Sequence, residues 1–344
     1  MLQWIPCELH THTINSDGSL SLLKLAQQAK KLGLECIALT DHNTISGHLD
    51  IPYVMKETGL QIVHGMEWTT FYGHMVAMGI KKYVDWRNRV PSDIHEGIAD
   101  IHEVGGLAGV AHPYRMGSPM CTGCYWQFQV KDWNEVDYLE VWSQTFPSIN
   151  PVNKRAFKLW TDLLNQGYKL TAVSGRDWHG GENDSDPIAV TFLGIDKDDT
   201  GDFEKKIMMA ITYGRAVSTM GPLMNLCIQT KGNKQKYRVG DVIESDEKEK
   251  DVEIIVDIDF YVRSKHWQID SQPLKVVLMG NIGKIAELLI SQEIGNAVHT
   301  LEGQELEWVR AELYGTISGV QCMIAYTNPI YFTSVKNKVS KVRK

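Results

Sequence analysis

Residues 21–43 read SLLKLAQQAKKLGLECIALTDHN and contain, in order, a helix, a buried strand and a polar strand end. Leu22, Leu25, Ala26, Ala29 and Leu32 recur at helical spacing over 21–32. The apolar run 36–39 has the length of a buried strand and breaks abruptly into Thr40-Asp41-His42-Asn43. Further apolar runs at 61–63, 107–111, 138–141 and 170–173 also end in polar or ionisable residues, and a second helical stretch, 152–166, stops at Gly167. Alternating strands and helices imply an α/β fold with a parallel sheet. In a closed barrel of such units the C-terminal strand ends face one site, so the residues that follow the runs should converge.

Those residues are chemically alike. In Glu8-Leu9-His10-Thr11-His12 the two imidazoles lie two apart on an extended strand and can reach one ion. Asp17 sits in a Ser16-Asp17-Gly18 turn that can fold back over the strand end. Asp41 and His42 follow the second run; Gly65-Met66-Glu67 ends another, and His74 begins the next extended stretch. Ala111-His112-Pro113 and Gly175-Arg176-Asp177-Trp178-His179 close the series. A lone histidine is more often a surface or satisfied core residue, but repetition at successive strand ends argues for a shared centre. Mixed imidazole and carboxylate donors suit Zn, Mn or Fe, and a carboxylate can bridge two ions.

Composition sets the limits. The 344 residues, 43% hydrophobic and 22% charged, suit a globular protein of one large and one smaller domain. A net charge of -7 argues against a general nucleic-acid grip. No apolar run is long enough to cross a bilayer, so a cytoplasmic protein is expected. Ten of the twelve histidines lie between His10 and His179. Beyond them, period-two alternation at 252–258, 274–279 and 322–326 indicates strands of a sandwich. The boundary falls near Gly221-Pro222, giving a metal-bearing domain at 1–222, a β-sandwich at 223–335 and a basic, solvated tail at 336–344. Cys121 and Cys124 have CxxC spacing without a second pair, and are read as reduced thiols.

The set His10, His12, Asp17, Thr40-Asp41-His42, Glu67, His74, Ala111-His112-Pro113 and Asp177 with His179 resembles the PHP (polymerase and histidinol phosphatase) superfamily. The resemblance implies a distorted, TIM-like barrel of about seven strand-helix units with up to three metal ions. It implies that His10, His12, Glu67 and Asp177 hold one ion, that Glu67 bridges to a second held by His74 and His112, and that Asp17, His42 and His179 hold a third. Asp41 would orient a histidine instead of binding metal. Trp308-Val309-Arg310-Ala311-Glu312-Leu313, 325–331, and Gly214-Arg215 leading to Gly221-Pro222 resemble the carbaryl-hydrolase-like branch, whose second domain is a small β-sandwich.

Clustered cations lower the pKa of bound water and polarise the bond under attack, so hydrolysis is expected. A small, anionic phosphoester would gain most, with Arg115 and Arg176 placed to neutralise phosphoryl oxygens. Arg176 stands where the family more often carries a small residue. A carbamate, ester or amide hydrolase on the same ions and a non-catalytic metal-binding module are the alternatives.

Overall fold

The computed structural model describes residues 2–117, 125–180, 186–231, 234–244, 251–302 and 306–333. Cys121, Cys124 and the basic tail at 336–344 lie outside them. The N-terminal strands are β1 (Leu2–Thr11), β2 (Cys36–Leu39), β3 (Gln61–Thr70), β4 (Gly73–Met78), β5 (Leu107–Ala111), β6 (Tyr138–Ser143), β7 (Thr171–Gly175), β8 (Val190–Asp196) and β9 (Ala216–Thr219). The helices are α1 (Leu22–Lys31), α2 (Ile51–Thr58), α3 (Ile94–Glu103), α4 (Pro151–Asn165) and α5 (Phe203–Thr212). Each helix follows from local signals. In α1, Ser21 Oγ accepts from Lys24 N, Lys30 and Lys31 occupy the last turn, and Leu22, Leu25, Ala26 and Ala29 are buried. Asn150 caps α4 ahead of Pro151 at the first turn.

The sheet order is β9-β8-β1-β2-β3-β4-β5-β6-β7. The ladders β1–β2, β2–β3, β5–β6 and β6–β7 are parallel. Those joining β3–β4, β4–β5, β1–β8 and β8–β9 are antiparallel. The fold is therefore mixed α/β, and differs from the expected barrel of repeated strand-helix units in two ways. Strands β3 and β4 form a hairpin across Phe71 and Tyr72, with no helix between them. Nor does a ladder close the sheet between β7 and β1. β8 occupies the second edge of β1 from Leu2 to Cys7, leaving only its last residues open. There the chain after β7 makes one parallel bridge, Thr11 to Trp178, with Trp178 N donating to His10 O and His12 N donating to Trp178 O, each at 2.9 Å.

The remaining strands are β10 (Leu223–Thr230), β11 (Lys236–Arg238), β12 (Val242–Glu244), β13 (Asp251–Asp259), β14 (Leu274–Gly280), β15 (Gly283–Ile290), β16 (Asn296–Glu302), β17 (Trp308–Ile317), β18 (Val320–Thr327) and β19 (Ile330–Thr333). β11-β10-β13-β16 make a separate four-stranded sheet. β18 pairs with β9 through Ala325–Thr219, so the main sheet runs on through residue 222. Leu226, Ile254 and Val256 of the small sheet share one apolar core with Val276, Leu313 and Ile324, and with Ile98 and Trp160 of α3 and α4. Arg310 fastens this junction. Its buried guanidinium pairs with Glu312 at 2.8 Å, donates to Thr161 Oγ1 at 2.9 Å, and lies over the Phe157 and Trp160 rings. Among the described residues no helix is long and apolar enough to cross a membrane.

Candidate metal centre

The strand ends bring the candidate ligands together. His10 and His12 leave the end of β1 fully buried, while the intervening Thr11 turns its hydroxyl to Ala38 O at 2.7 Å. Glu67, also fully buried, is set beside His42 by an isolated parallel bridge and by Asn43 N donating to Glu67 O at 2.9 Å. His74 on β4 and His112 at the end of β5 reach the same carboxylate from across the hairpin, because β4 runs antiparallel to both neighbours.

Four atoms form the innermost group. His10 Nε2 is 3.2 Å from Glu67 Oε2 and 3.4 Å from Asp177 Oδ1; His12 Nε2 is 3.4 Å and 2.8 Å from the same two atoms. Around a tetrahedral ion, ligands at about 2.1 Å stand about 3.4 Å apart. All four are buried, and no hydrogen bond of acceptable geometry satisfies them. Burying such atoms unsatisfied is costly, and a cation removes that cost, so the donor set fits a metal ion. A second group is formed by Glu67 Oε1, 2.9 Å from His74 Nδ1 and 3.2 Å from His112 Nε2. The third lies at the open mouth, where Asp17 Oδ1 is 3.4 Å from His42 Nε2 and 3.0 Å from His179 Nε2. The His12 ring stacks between those of His42 and His179, with centroids 4.1 and 4.2 Å away, and lies within ligand reach of this group too.

Charge in the centre is finely opposed. Burial pushes the Glu67 carboxyl up, but His10, His42 and His74 outweigh it and hold it well below the usual carboxylate range. Asp177 is likewise held low by His10 and His12 against burial. His12 is pushed down by burial, whereas His10 is raised despite burial by Glu67, Glu140 and Asp177. His112 and Asp177 also adopt left-handed backbone, with φ of 24° and 55°. Each such conformation costs on the order of 1–3 kcal/mol and is characteristic of functional sites.

A model of the PHP domain matches residues 8–110. An uncharacterized protein of Methanocaldococcus jannaschii is 35% identical over 127 residues, which are 33% of this chain and 69% of that protein. The chain belongs to the PHP domain family. A 5'-3' exoribonuclease of Haemophilus influenzae is 34% identical over 79 residues, 22% of this chain and 29% of that protein. A two-domain protein of Bacteroides vulgatus, described as containing a PHP-like metal-dependent phosphoesterase, superposes with a TM-score of 0.52, 14% identity and 96% coverage of both chains; this likeness concerns the fold alone.

Within this PHP centre Asp41 behaves differently from expectation. Asp41 orients no imidazole among the described contacts. It accepts from Thr13 N at 2.7 Å, Thr13 Oγ1 at 2.8 Å and Ser16 Oγ at 2.6 Å, and so orders the turn that carries Asp17. The carboxylate that orients a ring is Glu140 on β6, whose Oε2 lies 2.7 Å from His10 Nδ1. Its signal in the sequence is an acidic residue inside an otherwise apolar strand. Glu8, also buried, accepts from His10 N at 3.1 Å and Arg176 N at 2.7 Å, which ties β1 to the end of β7.

Arg115 and Arg176 part company. Arg115 lines a cleft of about 520 Å³ together with His42, His74, His112 and His179, and its Nη1 donates to Asp177 Oδ2. Arg176 does not line it. It is buried, at 4% exposure. The Arg176 guanidinium lies 3.8 Å from the Trp178 ring centroid; burial raises the Glu8 pKa and the Arg176 charge partly offsets this, leaving it at about 7. The expected phosphate contact is thus replaced by a structural one. Arg176→Ala should lower stability by about 1–3 kcal/mol, through loss of a buried side chain packed on the Trp178 ring, read as a shift of the urea midpoint. A loss of kcat/KM of about 10-fold or more at unchanged midpoint would return the guanidinium to the cleft.

Proposed function

We propose that the chain is a metal-dependent phosphoesterase acting on a small anionic substrate, with its centre in residues 1–222 and residues 223–335 as a companion domain. The observation that carries this reading is Glu67, whose two oxygens face different imidazole groups, His10, His12 and His42 on one side and His74 with His112 on the other. A buried carboxylate so placed suits a bridge between two ions. His10, His12, Glu67 and Asp177 would hold one, and Glu67, His74 and His112 a second. Asp17, His42 and His179 would hold a third. When bound, Zn, Mn or Fe ions here supply an activated water and polarisation of the scissile bond.

The chain's own groups do the rest. Arg115 presents a guanidinium to the cleft and aligns an anionic oxygen. Glu140 fixes the His10 ring, and Asp41 fixes the turn carrying Asp17. The name of one relative, the exoribonuclease, supports a phosphoester. A carbamate, ester or amide hydrolase on the same ions, in keeping with the carbaryl-hydrolase-like resemblance, is favoured by the withdrawal of Arg176 from the cleft.

One experiment separates these readings: elemental analysis of protein from metal-replete medium, followed by a panel of p-nitrophenyl phosphate, nucleoside monophosphates, aryl carbamates and aryl esters. The expected result is two to three ions per chain and turnover of phosphates. One ion or fewer in active protein rejects the trinuclear assignment. Turnover confined to carbamates or esters selects the second reading, and no turnover at full loading rejects both.

A further inference from the structure

A second cavity, of about 460 Å³, lies where β6 and α4 meet the β17–β18 hairpin, and shares no lining residue with the metal cleft. Its apolar walls include Trp142, Phe157 and Met323. Its polar lining can donate hydrogen bonds from Lys154, Ser148 and Gln321, the lysine is its one cation, and no Asp or Glu lines it. Lys154 is exposed and forms no ion pair with any described residue.

Ser148 is the telling group. It is only 8% exposed, and its Oγ has no hydrogen-bond partner of acceptable geometry. The Cys322 thiol beside it, whose pKa the Ser148 hydroxyl lowers, is a weak partner. A buried hydroxyl left unsatisfied costs about 1–3 kcal/mol. Such a group calls for an explanation, and an acceptor brought by a ligand supplies one.

We propose that this cavity is a binding site for a small aromatic carboxylate, separate from the metal centre. The ring fills the space between Trp142, Phe157 and Met323. The carboxylate accepts from Ser148 Oγ and faces the Lys154 ammonium. The volume lies within the range of small-ligand sites. A cation without a carboxylate partner selects an anion over its neutral analogue.

The test is calorimetric titration of the full-length, metal-loaded protein with phenylacetate and, separately, with neutral 2-phenylethanol. The expected result is saturable binding of phenylacetate at least about 10-fold tighter than of the alcohol. Lys154→Met should weaken it by about 10-fold or more. Ser148→Ala should weaken it about 3- to 10-fold while leaving the melting temperature unchanged or higher, because the hydroxyl gains little from the weak Cys322 thiol to offset its burial. Carboxylates also ligate metals, so the Glu67→Gln variant serves as control and should retain the binding. Binding lost in Glu67→Gln but kept in Lys154→Met would place the ligand on the ions and overturn the proposal. So would equal affinity for the alcohol, a Ser148→Ala protein of lower melting temperature with unchanged binding, or no saturation up to about 10 mM.

Discussion

Glu67→Gln should reduce turnover by at least about 100-fold and lower the metal content of the purified protein. Glu67 has no solvent exposure, and its carboxylate lies within 3.4 Å of five imidazoles: His10, His12, His42, His74 and His112. The amide keeps the size but gives up the negative charge and one acceptor. Its NH2 would point at one of the two imidazole groups, where a ligand atom is needed. The bridge is then broken on one side while the His10, His12 and Asp177 donors remain. Elemental analysis beside kcat checks the chain of cause: activity should fall together with bound metal. Near-normal turnover at full loading would exclude Glu67 as a bridge.

Arg115→Met should cut kcat/KM for phosphoesters by about 10- to 1000-fold, equivalent to roughly 1.4–4 kcal/mol of transition-state stabilisation. Arg115 is the arginine that lines the metal cleft, and methionine preserves much of the aliphatic stem while removing the charge. Neutral aryl esters should lose far less, since they present no dianion to the guanidinium. Arg115 also pairs with Asp177, so metal content must be measured in the same preparation. Equal losses on phosphates and esters with metals intact would mean that Arg115 serves only to hold Asp177. A phosphatase that ignores the substitution would remove the arginine from substrate binding altogether.

Much of this centre was legible before any coordinates. His10 and His12 could be paired because side chains two apart on a strand share a face. Asp41, His42, His112 and Asp177 stood out because buried apolar runs end in them, and a buried strand has little reason to end in ionisable groups unless they have work to do. Glu140 stood out as an acidic residue in an apolar strand, but its role was not legible. Its partner His10 is 130 residues away, and only the parallel pairing of β6 and β7 together with the Thr11–Trp178 bridge brings the two side chains within 2.7 Å. Arg176 was misplaced because spacing locates a residue along the chain but not the face it takes. That face follows from Asp177, whose positive φ and contacts with His10 and His12 fix the turn.

The same division runs through the fold. Local patterning determined the helices, since Leu22, Leu25, Ala26 and Ala29 or the Asn150-Pro151 start act within a few residues of one another. By itself the sequence also determined which side chains are candidate metal ligands and that they belong to its first part. Pairing direction was decided only by tertiary structure: the β3–β4 hairpin, the antiparallel β8 on the edge of β1, and the sheet continuing from β9 into β18. Strands buried on both faces lose the alternation that would reveal their neighbours, and which edge each one joins depends on hydrogen bonds between residues remote in sequence.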